Sequence, residues 1–222
     1  MGNAKENAAA GALKYVKRNQ VIGLGTGSTA VEFVRLLCAK NLSRPLNIKC
    51  VPTSLATEKQ AREGGLVVVQ LSEVDKIDVA IDGADSIDKE SFFCIKGLGG
   101  ALTREKVIAY NSKKFVLIAD DSKVRPLNST VIPVEVIPFA APFVKRTLET
   151  KFSATSELRQ KDGAIYVTDN GNHILDAKLE VNAANAKSLE KKINSIPGVV
   201  ENGIFTRVHK VVIGTVDSSY EL

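Results

Sequence analysis

The sequence predicts an α/β protein that combines a doubly wound, mainly parallel, Rossmann-like sheet with a second, smaller α+β domain of ferredoxin-like type. In the first half of the chain, short apolar runs alternate with segments of helical periodicity, and several runs end in glycine-rich or acidic turns. Short buried strands that alternate with helices form parallel sheets covered on both faces. The rhythm then changes near Pro126, which indicates a second domain.

The elements of the first domain are predicted from two periodicities. Apolar residues at helical spacing predict helices at 8–16, 31–38, 56–63 and 101–110. Short apolar runs predict strands at 21–24, 48–51, 66–69, 77–81, 92–95 and 115–119. Ligands of parallel sheets bind at the carboxyl ends of the strands, so we expect the functional residues in the turns that follow these runs.

The second domain has a different order of elements. The pattern predicts a strand at 131–137, a helix at 140–150, a strand at 153–159, a hairpin at 164–178, a helix at 183–195 and a strand at 198–202. This order is similar to a ferredoxin-like split unit. We expect the last apolar run, 211–214, to return to the first sheet. The predicted domains are therefore an α/β catalytic domain at 1–128 plus 205–222 and a small α+β domain at 129–204.

The composition argues against several classes of partner. No apolar run reaches the roughly 18 residues of a membrane span. The net charge is +5, but the 30 basic residues are interleaved with 25 acidic ones, which disfavours nucleic acid and equally suits a small phosphorylated substrate. The three cysteines are scattered and odd in number, and the first residues lack an apolar signal core. We expect a cytoplasmic protein with no membrane or nucleic-acid partner.

A glycine-rich turn between the first strand and the next helix is the first candidate site, Gly23-Leu24-Gly25-Thr26-Gly27-Ser28-Thr29. Glycines let the backbone approach an anion, and the helix N-terminus offers free N–H groups. The turn fits neither a dinucleotide fingerprint, whose third glycine position holds Ser28, nor a P-loop, because no Gly-Lys-Ser/Thr follows. It predicts phosphate binding, with a ligand-free structural turn as the alternative.

An acidic turn follows the strand at 77–81. Asp82 and Asp85 flank Gly83-Ala84 at the edge of the sheet where ligands bind. Neither carboxylate tolerates burial there without hydrogen-bond donors. The alternative interpretation is a structural turn in which Asp85 caps the backbone.

A lysine and a glycine-rich loop precede the helix at 101–110. Lys96 and the backbone of Gly97-Leu98-Gly99-Gly100 present donors suited to an oxyanion. On a helical wheel, Glu105 falls in the middle of the apolar face. An inward carboxylate is expected to have a raised pKa unless it is strongly paired, which suits a general base. The alternative is a structural glutamate held by a neighbouring lysine.

The remaining polar candidates are few. Lys123, in the turn after the strand at 115–119, brings another lysine to the same edge of the sheet. His173 and His209 have no metal-ligand spacing to each other or to a cysteine. We therefore expect no metal site and no nucleotide cofactor.

Taken in order, these motifs resemble the ribose-5-phosphate isomerase A family over nearly the whole chain. The segments that carry the resemblance are Gly25-Thr26-Gly27-Ser28-Thr29, Thr57-Glu58-Lys59, Asp82-Gly83-Ala84-Asp85, Lys96 with Leu102-Thr103-Arg104-Glu105-Lys106, Ala119-Asp120-Asp121-Ser122-Lys123, Pro133-Val134-Glu135-Val136-Ile137-Pro138, Thr168-Asp169-Asn170-Gly171-Asn172 and Ile196-Pro197-Gly198-Val199-Val200. The resemblance implies cofactor-free aldose–ketose isomerisation of a sugar phosphate by a homodimer or homotetramer.

The resemblance also assigns roles to residues. It implies that Glu105 is the catalytic base, assisted by Asp82, Asp85 and Lys96. The substrate-binding residues it implies are Lys5, Thr26, Gly27, Ser28, Thr29, Asp82, Gly83, Ala84, Asp85, Lys96, Gly97, Leu98, Gly99 and Lys123. The chain departs from the family pattern twice, with Ser86 in place of the usual glutamate and Leu98 in a loop that usually has three consecutive glycines.

Two other functions remain open from the sequence. An amino-sugar phosphate isomerase-deaminase has a similar fold and phosphate turn, but it would usually use a histidine near these motifs to open the ring. A sugar-phosphate sensor domain would carry a DNA-binding segment and would not need Glu105. Turnover of ribose 5-phosphate separates the sensor from the enzyme.

Overall fold

A computed structural model describes residues 3–222. The α-helices are α1 (Ala4–Ala12), α2 (Ser28–Ser43), α3 (Leu55–Glu63), α4 (Leu102–Tyr110), α5 (Ala141–Phe152) and α6 (Ala186–Asn194). The strands are β1 (Val21–Leu24), β2 (Lys49–Pro52), β3 (Val67–Val68), β4 (Val79–Asp82), β5 (Ser86–Ile87), β6 (Cys94–Ile95), β7 (Phe115–Asp120), β8 (Ile132–Val136), β9 (Thr155–Leu158), β10 (Gln160–Lys161), β11 (Ala164–Ile165), β12 (His173–Lys178), β13 (Val199–Asn202), β14 (Ile204–Phe205), β15 (Lys210–Gly214) and β16 (Ser219–Glu221). None of the described helices combines the length and apolarity that a bilayer crossing requires.

The chain divides into two compact units, each built from separate segments. The first unit comprises the residues up to Ala84, Arg104–Val124 and Arg207–Leu222, and the second comprises Asp85–Thr103 and Arg125–Thr206. The predicted boundaries placed residues 85–103 in the first domain, and the packing instead groups them with the second. The reason is strand pairing, because β6 lies between β5 and β14 in a small antiparallel sheet.

The first unit contains a seven-stranded sheet in the order β16-β15-β7-β4-β1-β2-β3. All neighbours are parallel except β15 and β16, which confirms the mainly parallel sheet. The predicted return of the chain to this sheet is also confirmed, since β15 pairs with β7. The turns after β1, β4 and β7 therefore lie at one edge.

Helix α1 packs closely on this sheet because the side chains that it buries are small. In α1 the buried residues are Ala8, Ala9 and Ala12. A Cβ atom on Gly214 would lie 2.6 Å from the Ala8 nitrogen, so glycine is required where α1 meets the end of β15. The Asn7 amide donates to the carbonyl oxygens of Thr215 and Val216 at 2.9 and 3.1 Å, which anchors the helix there.

The second unit contains a four-stranded antiparallel sheet in the order β13-β8-β12-β9. Together with α5 and α6 its elements run βαββαβ, which confirms the ferredoxin-like order. The predicted hairpin at 164–178 is wrong. The tight hairpin joins β10 to β11 through Asp162 and Gly163, both with positive φ, and β12 pairs instead with β8 and β9. An Asp-Gly pair is a preferred two-residue hairpin turn.

Candidate active site

The predicted site residues belong to both units, and each unit builds its own group. The first unit contains Lys5, Thr26, Gly27, Ser28, Thr29, Asp82, Gly83, Ala84, Glu105 and Lys123. The second contains Asp85, Lys96, Gly97, Leu98 and Gly99. The unit boundary thus separates Asp82 from Asp85 and Lys96 from Glu105 along the chain.

The glycine-rich turn joins β1 to the N-terminus of α2. The N-cap residue is Gly27, with φ of 110°, and among the described residues no side chain caps this helix. The first N–H groups of α2 are therefore available to a ligand anion. Ser28 is exposed and Thr29 is buried, so the two hydroxyl residues of the helix start differ in accessibility.

The side chain of Thr26 serves the turn itself. Its hydroxyl oxygen lies 2.7 Å from that of Thr53, 2.8 Å from that of Ser54 and 3.2 Å from that of Thr57. The Thr57 hydroxyl in turn donates to the Gly25 carbonyl at 2.9 Å. These supporting hydroxyls did not feature in the sequence prediction of the site, although Thr57 lies in a segment of the family resemblance.

Asp82 ends β4 directly beside this turn. Its side chain is buried, and Oδ1 accepts the backbone N–H groups of Thr26 at 3.0 Å and Gly83 at 2.7 Å. Gly25 packs against it so closely that a Cβ there would lie 2.6 Å from the Asp82 Cα. The turn and the carboxylate are therefore one rigid assembly.

Glu105 lies in the first turn of α4, and the structure confirms that it points inward. It is 4% exposed, and Leu102, Ile108 and Ala109 on the same helix are also buried. Burial of a carboxylate is costly in free energy and is typical of groups with a functional task. Its role as a base remains a prediction.

The two predicted lysines of the first unit lie at the same sheet edge. Lys123 ends the 3₁₀ turn Asp121–Lys123 that follows β7. Lys5 is in the first turn of α1, next to Ala4, whose carbonyl oxygen faces Gly214 at the end of β15. Both are partly buried. The first unit thus gathers the glycine turn, Asp82 and two cations at one edge.

In the second unit Lys96 follows β6 and is buried, with 2% exposure. Its Nζ lies 5.6 Å from the centre of the Phe205 ring, a cation–π distance. The loop then turns through Gly97 and Gly100, both with positive φ, and the Gly100 N–H donates to the Gly97 carbonyl at 3.0 Å. The Leu98 N–H donates to Oδ2 of Asp85 at 3.1 Å, so two predicted site segments meet here.

Two polar groups near this loop did not feature among the predicted site residues. Arg159 donates to the carbonyl oxygens of Gly97 and Leu98 and pairs with Asp176. Glu135, in β8, is fully buried and accepts hydrogen bonds from four neutral side chains, namely Thr103 at 2.6 Å, Thr168 and Asn172 at 2.9 Å and Asn170 at 3.1 Å. Glu135 and its partners lie in segments of the family resemblance, which was their one sequence signal.

The described residues contain no cluster of three His, Cys, Asp or Glu side chains that would hold a metal ion. His209 has a structural contact instead, since its Nδ1 accepts the Phe115 N–H at 3.0 Å. Burial first, and then the neighbouring Arg207 and Lys114, lower the pKa of His209, which favours this neutral acceptor.

Comparison with known proteins identifies strong similarities. Residues 49–218 match the family model of ribose 5-phosphate isomerase A (phosphoriboisomerase A). The chain is 44% identical over 214 residues to ribose-5-phosphate isomerase A of Methanocaldococcus jannaschii, covering 95% of this chain and 93% of that protein. It is 44% identical over 215 residues to the protein of the same name from Thermococcus kodakarensis, covering 94% and 92%.

Solved structures extend this similarity to the fold. The structure of ribose 5-phosphate isomerase A from Methanocaldococcus jannaschii matches with a TM-score of 0.93 at 42% identity, covering 98% of this chain and 97% of that one. A structure of D-ribose-5-phosphate isomerase in complex with phospho-erythronic acid also matches with a TM-score of 0.93, at 39% identity, covering 100% and 99%.

Proposed function

The chain belongs to the ribose-5-phosphate isomerase A family, and from that premise we propose how its residues interconvert ribose 5-phosphate and ribulose 5-phosphate. The chain is an aldose–ketose isomerase, and its reaction belongs to the pentose phosphate pathway. This identity takes precedence over the sensor and deaminase alternatives. The observation that carries the mechanism is the inward, buried position of Glu105.

Glu105 is the proposed proton-transfer group. Aldose–ketose isomerisation moves a proton between C1 and C2 through an enediolate, and one carboxylate can serve first as base and then as acid. The position of Glu105 in the first turn of α4 supports this role, because a carboxylate on a buried helix face is held in one orientation. A single residue in this position suffices for both transfers.

The second unit supplies the proposed oxyanion donors. Lys96 and the backbone N–H groups of the loop Gly97-Leu98-Gly99 stabilise the charge that develops on the enediolate. Asp82 and Asp85 orient the substrate hydroxyls and assist ring opening. Support comes from the hydrogen bonds that hold each carboxylate, to the turn at Thr26 and to the loop at Leu98.

The phosphate is proposed to bind at the glycine turn. The N-terminal N–H groups of α2, the hydroxyls of Ser28 and Thr29, and the cations Lys5 and Lys123 provide donors and positive charge. The relative with phospho-erythronic acid bound supports a ligand that carries a phosphate at one end and an acid at the other. Binding energy from the non-reacting phosphate positions the reacting carbons.

Assembly and compartment are part of the same proposal. We propose a homodimer or homotetramer, supported by the apolar side chains exposed near the start of α5, among them Phe139 at 95% exposure and Phe143. Light scattering at several protein concentrations measures the oligomeric state.

We propose a cytoplasmic enzyme, supported by three cysteines that are all free thiols, at 38, 50 and 94.

The decisive experiment replaces Glu105 with glutamine. We expect Glu105→Gln to lower kcat about 10²- to 10⁴-fold, because it removes the base, while folding and substrate binding persist. The matched control is Glu190→Gln, since Glu190 is also a buried helical glutamate, held by the Thr206 hydroxyl at 2.6 Å. Its kcat is expected to stay near that of the unmodified enzyme.

The readouts separate a base from a structural glutamate. We would measure kcat, thermal unfolding and deuterium incorporation from solvent at C2 of ribose 5-phosphate. If Glu105→Gln is stably folded and still exchanges that proton at a near-normal rate, the assignment of the base is wrong. If the unmodified protein does not turn over ribose 5-phosphate, the whole proposal fails.

A further inference from the structure

We propose that Arg159, fixed by Asp176, is a positioning residue for the isomerisation, because it orients the peptide groups of the loop Gly97-Leu98-Gly99 toward the enediolate. The inference rests on the proposed function, in which this loop donates to the oxyanion. Neither Arg159 nor Asp176 is among the residues that the sequence predicts for the site. Their role follows from three steps of geometry within the second unit.

The first step is the orientation of the guanidinium group. Arg159 Nε donates to Oδ2 of Asp176 at 2.8 Å, and Nη2 donates to Oδ1 at 2.5 Å. The side chains are only 11% and 23% exposed. A two-point pair of this kind fixes the plane of the guanidinium and the direction of its remaining edge.

The second step is what that remaining edge binds. Nη1 of Arg159 donates to the Gly97 carbonyl at 2.9 Å and to the Leu98 carbonyl at 3.1 Å. Two successive carbonyl groups therefore face the same donor. Tyr166 adds a long contact of 3.4 Å from its hydroxyl to the Gly99 carbonyl, and its ring lies 5.9 Å from the Arg159 guanidinium.

The third step follows from the planar trans peptide, in which the C=O of one residue and the N–H of the next point in opposite directions. The Gly97 carbonyl faces Arg159, so the Leu98 N–H points away from it. It donates to Asp85, as this geometry requires. The Leu98 carbonyl also faces Arg159. By the same rule, the Gly99 N–H points to the side of the loop on which the Asp85 carboxylate lies. Since the Leu98 N–H is engaged by Asp85, the Gly99 N–H is the donor on this side that Arg159 directs toward the enediolate oxygen.

A neutral or flexible side chain does not provide this arrangement. Lysine carries the charge, but it lacks a planar fork that binds a carboxylate and two carbonyl groups together. Small misplacements of a transition-state donor reduce kcat strongly, by about 10²-fold for roughly 1 Å. We therefore expect Arg159→Lys to lower kcat about 10- to 100-fold and to change KM for ribose 5-phosphate much less.

The experiment compares Arg159→Lys with Arg146→Lys, an exposed arginine on α5, as the matched control. The measurements are kcat, KM, and the dissociation constants of inorganic phosphate and of phospho-erythronic acid. In Arg159→Lys we expect the affinity for phospho-erythronic acid to fall in parallel with kcat, while the affinity for inorganic phosphate stays unchanged. Guanidinium ion added to Arg159→Ala should restore part of kcat, a rescue that a general loss of stability would not show.

Several results would overturn the inference. These are a normal kcat in Arg159→Lys, an equal loss of affinity for phosphate and acid, and an absence of guanidinium rescue. If Arg159→Lys does not fold, Asp176→Asn serves instead, because it is nearly isosteric and loosens only the two-point pair. If Glu105→Gln behaves as a removed base while both of these variants keep full kcat, the proposed function stands and only the role of Arg159 fails.

Discussion

Replacement of Gly25 by alanine tests whether the glycine turn and Asp82 form one rigid assembly. The new Cβ would overlap the Asp82 carboxylate and lie 2.6 Å from its Cα, where real Cβ atoms essentially never come closer than 3.0 Å. The contact is to backbone, so β4 and the turn must move apart. Overpacking of this kind costs about 1–3 kcal/mol, and a lost hydrogen bond from Thr26 to the carboxylate about 1.5–3 kcal/mol. We expect a total loss of about 2.5–6 kcal/mol.

The assay combines urea unfolding with kcat for ribose 5-phosphate. The matched control is Gly65→Ala in the same unit, where φ is 78° but no atom lies within 4 Å of the new Cβ. There only backbone strain acts, about 1–2 kcal/mol, and kcat should not change. In Gly25→Ala the displaced Asp82 should lower kcat as well as stability. Equal stability losses in the two variants, with kcat intact in both, would refute the reasoning.

Two further predictions concern the ligands. Ser28→Ala combined with Thr29→Ala should raise KM for ribose 5-phosphate, because it removes hydroxyl donors and leaves the backbone of the turn, and free ribose should be a very poor substrate. Normal phosphate binding by the double variant, measured by calorimetry, would place the phosphate elsewhere. Exhaustive dialysis against EDTA should leave kcat unchanged, since the mechanism uses no metal. An activity that falls with EDTA and returns with a divalent ion would contradict it.

The features that the sequence predicted well are those encoded within a few neighbouring residues. The inward direction of Glu105 follows from the 3.6-residue period of α4, and the burial of the helix confirms it. The glycine turn and Asp82 end neighbouring parallel strands, so their meeting at one edge follows from the strand order. In both cases the determining information is local or follows from a general rule of parallel sheets.

The features that the sequence did not predict depend on contacts between distant segments. Arg159 is 62 positions from Gly97, and nothing near Arg159 in the chain indicates that contact. Residues 85–103 join the second unit because β6 pairs with β14, more than a hundred positions later. The hairpin between β10 and β11, in contrast, was predictable from neighbouring residues, because Asp162-Gly163 is itself a strong turn signal.

The contact between α1 and β15 has a consequence for synthesis of the protein. The ribosome makes α1 roughly 200 residues before β15, so at about 5–20 residues per second the helix waits roughly 10–40 s for this strand. The helix can pack on α2 soon after synthesis, but Asn7 has its hydrogen-bond partners only once Thr215 and Val216 have emerged. All segments of the second unit, by contrast, are complete once Thr206 has been added. We therefore expect the inserted unit to fold on the ribosome first, and the unit that carries Glu105 to close last.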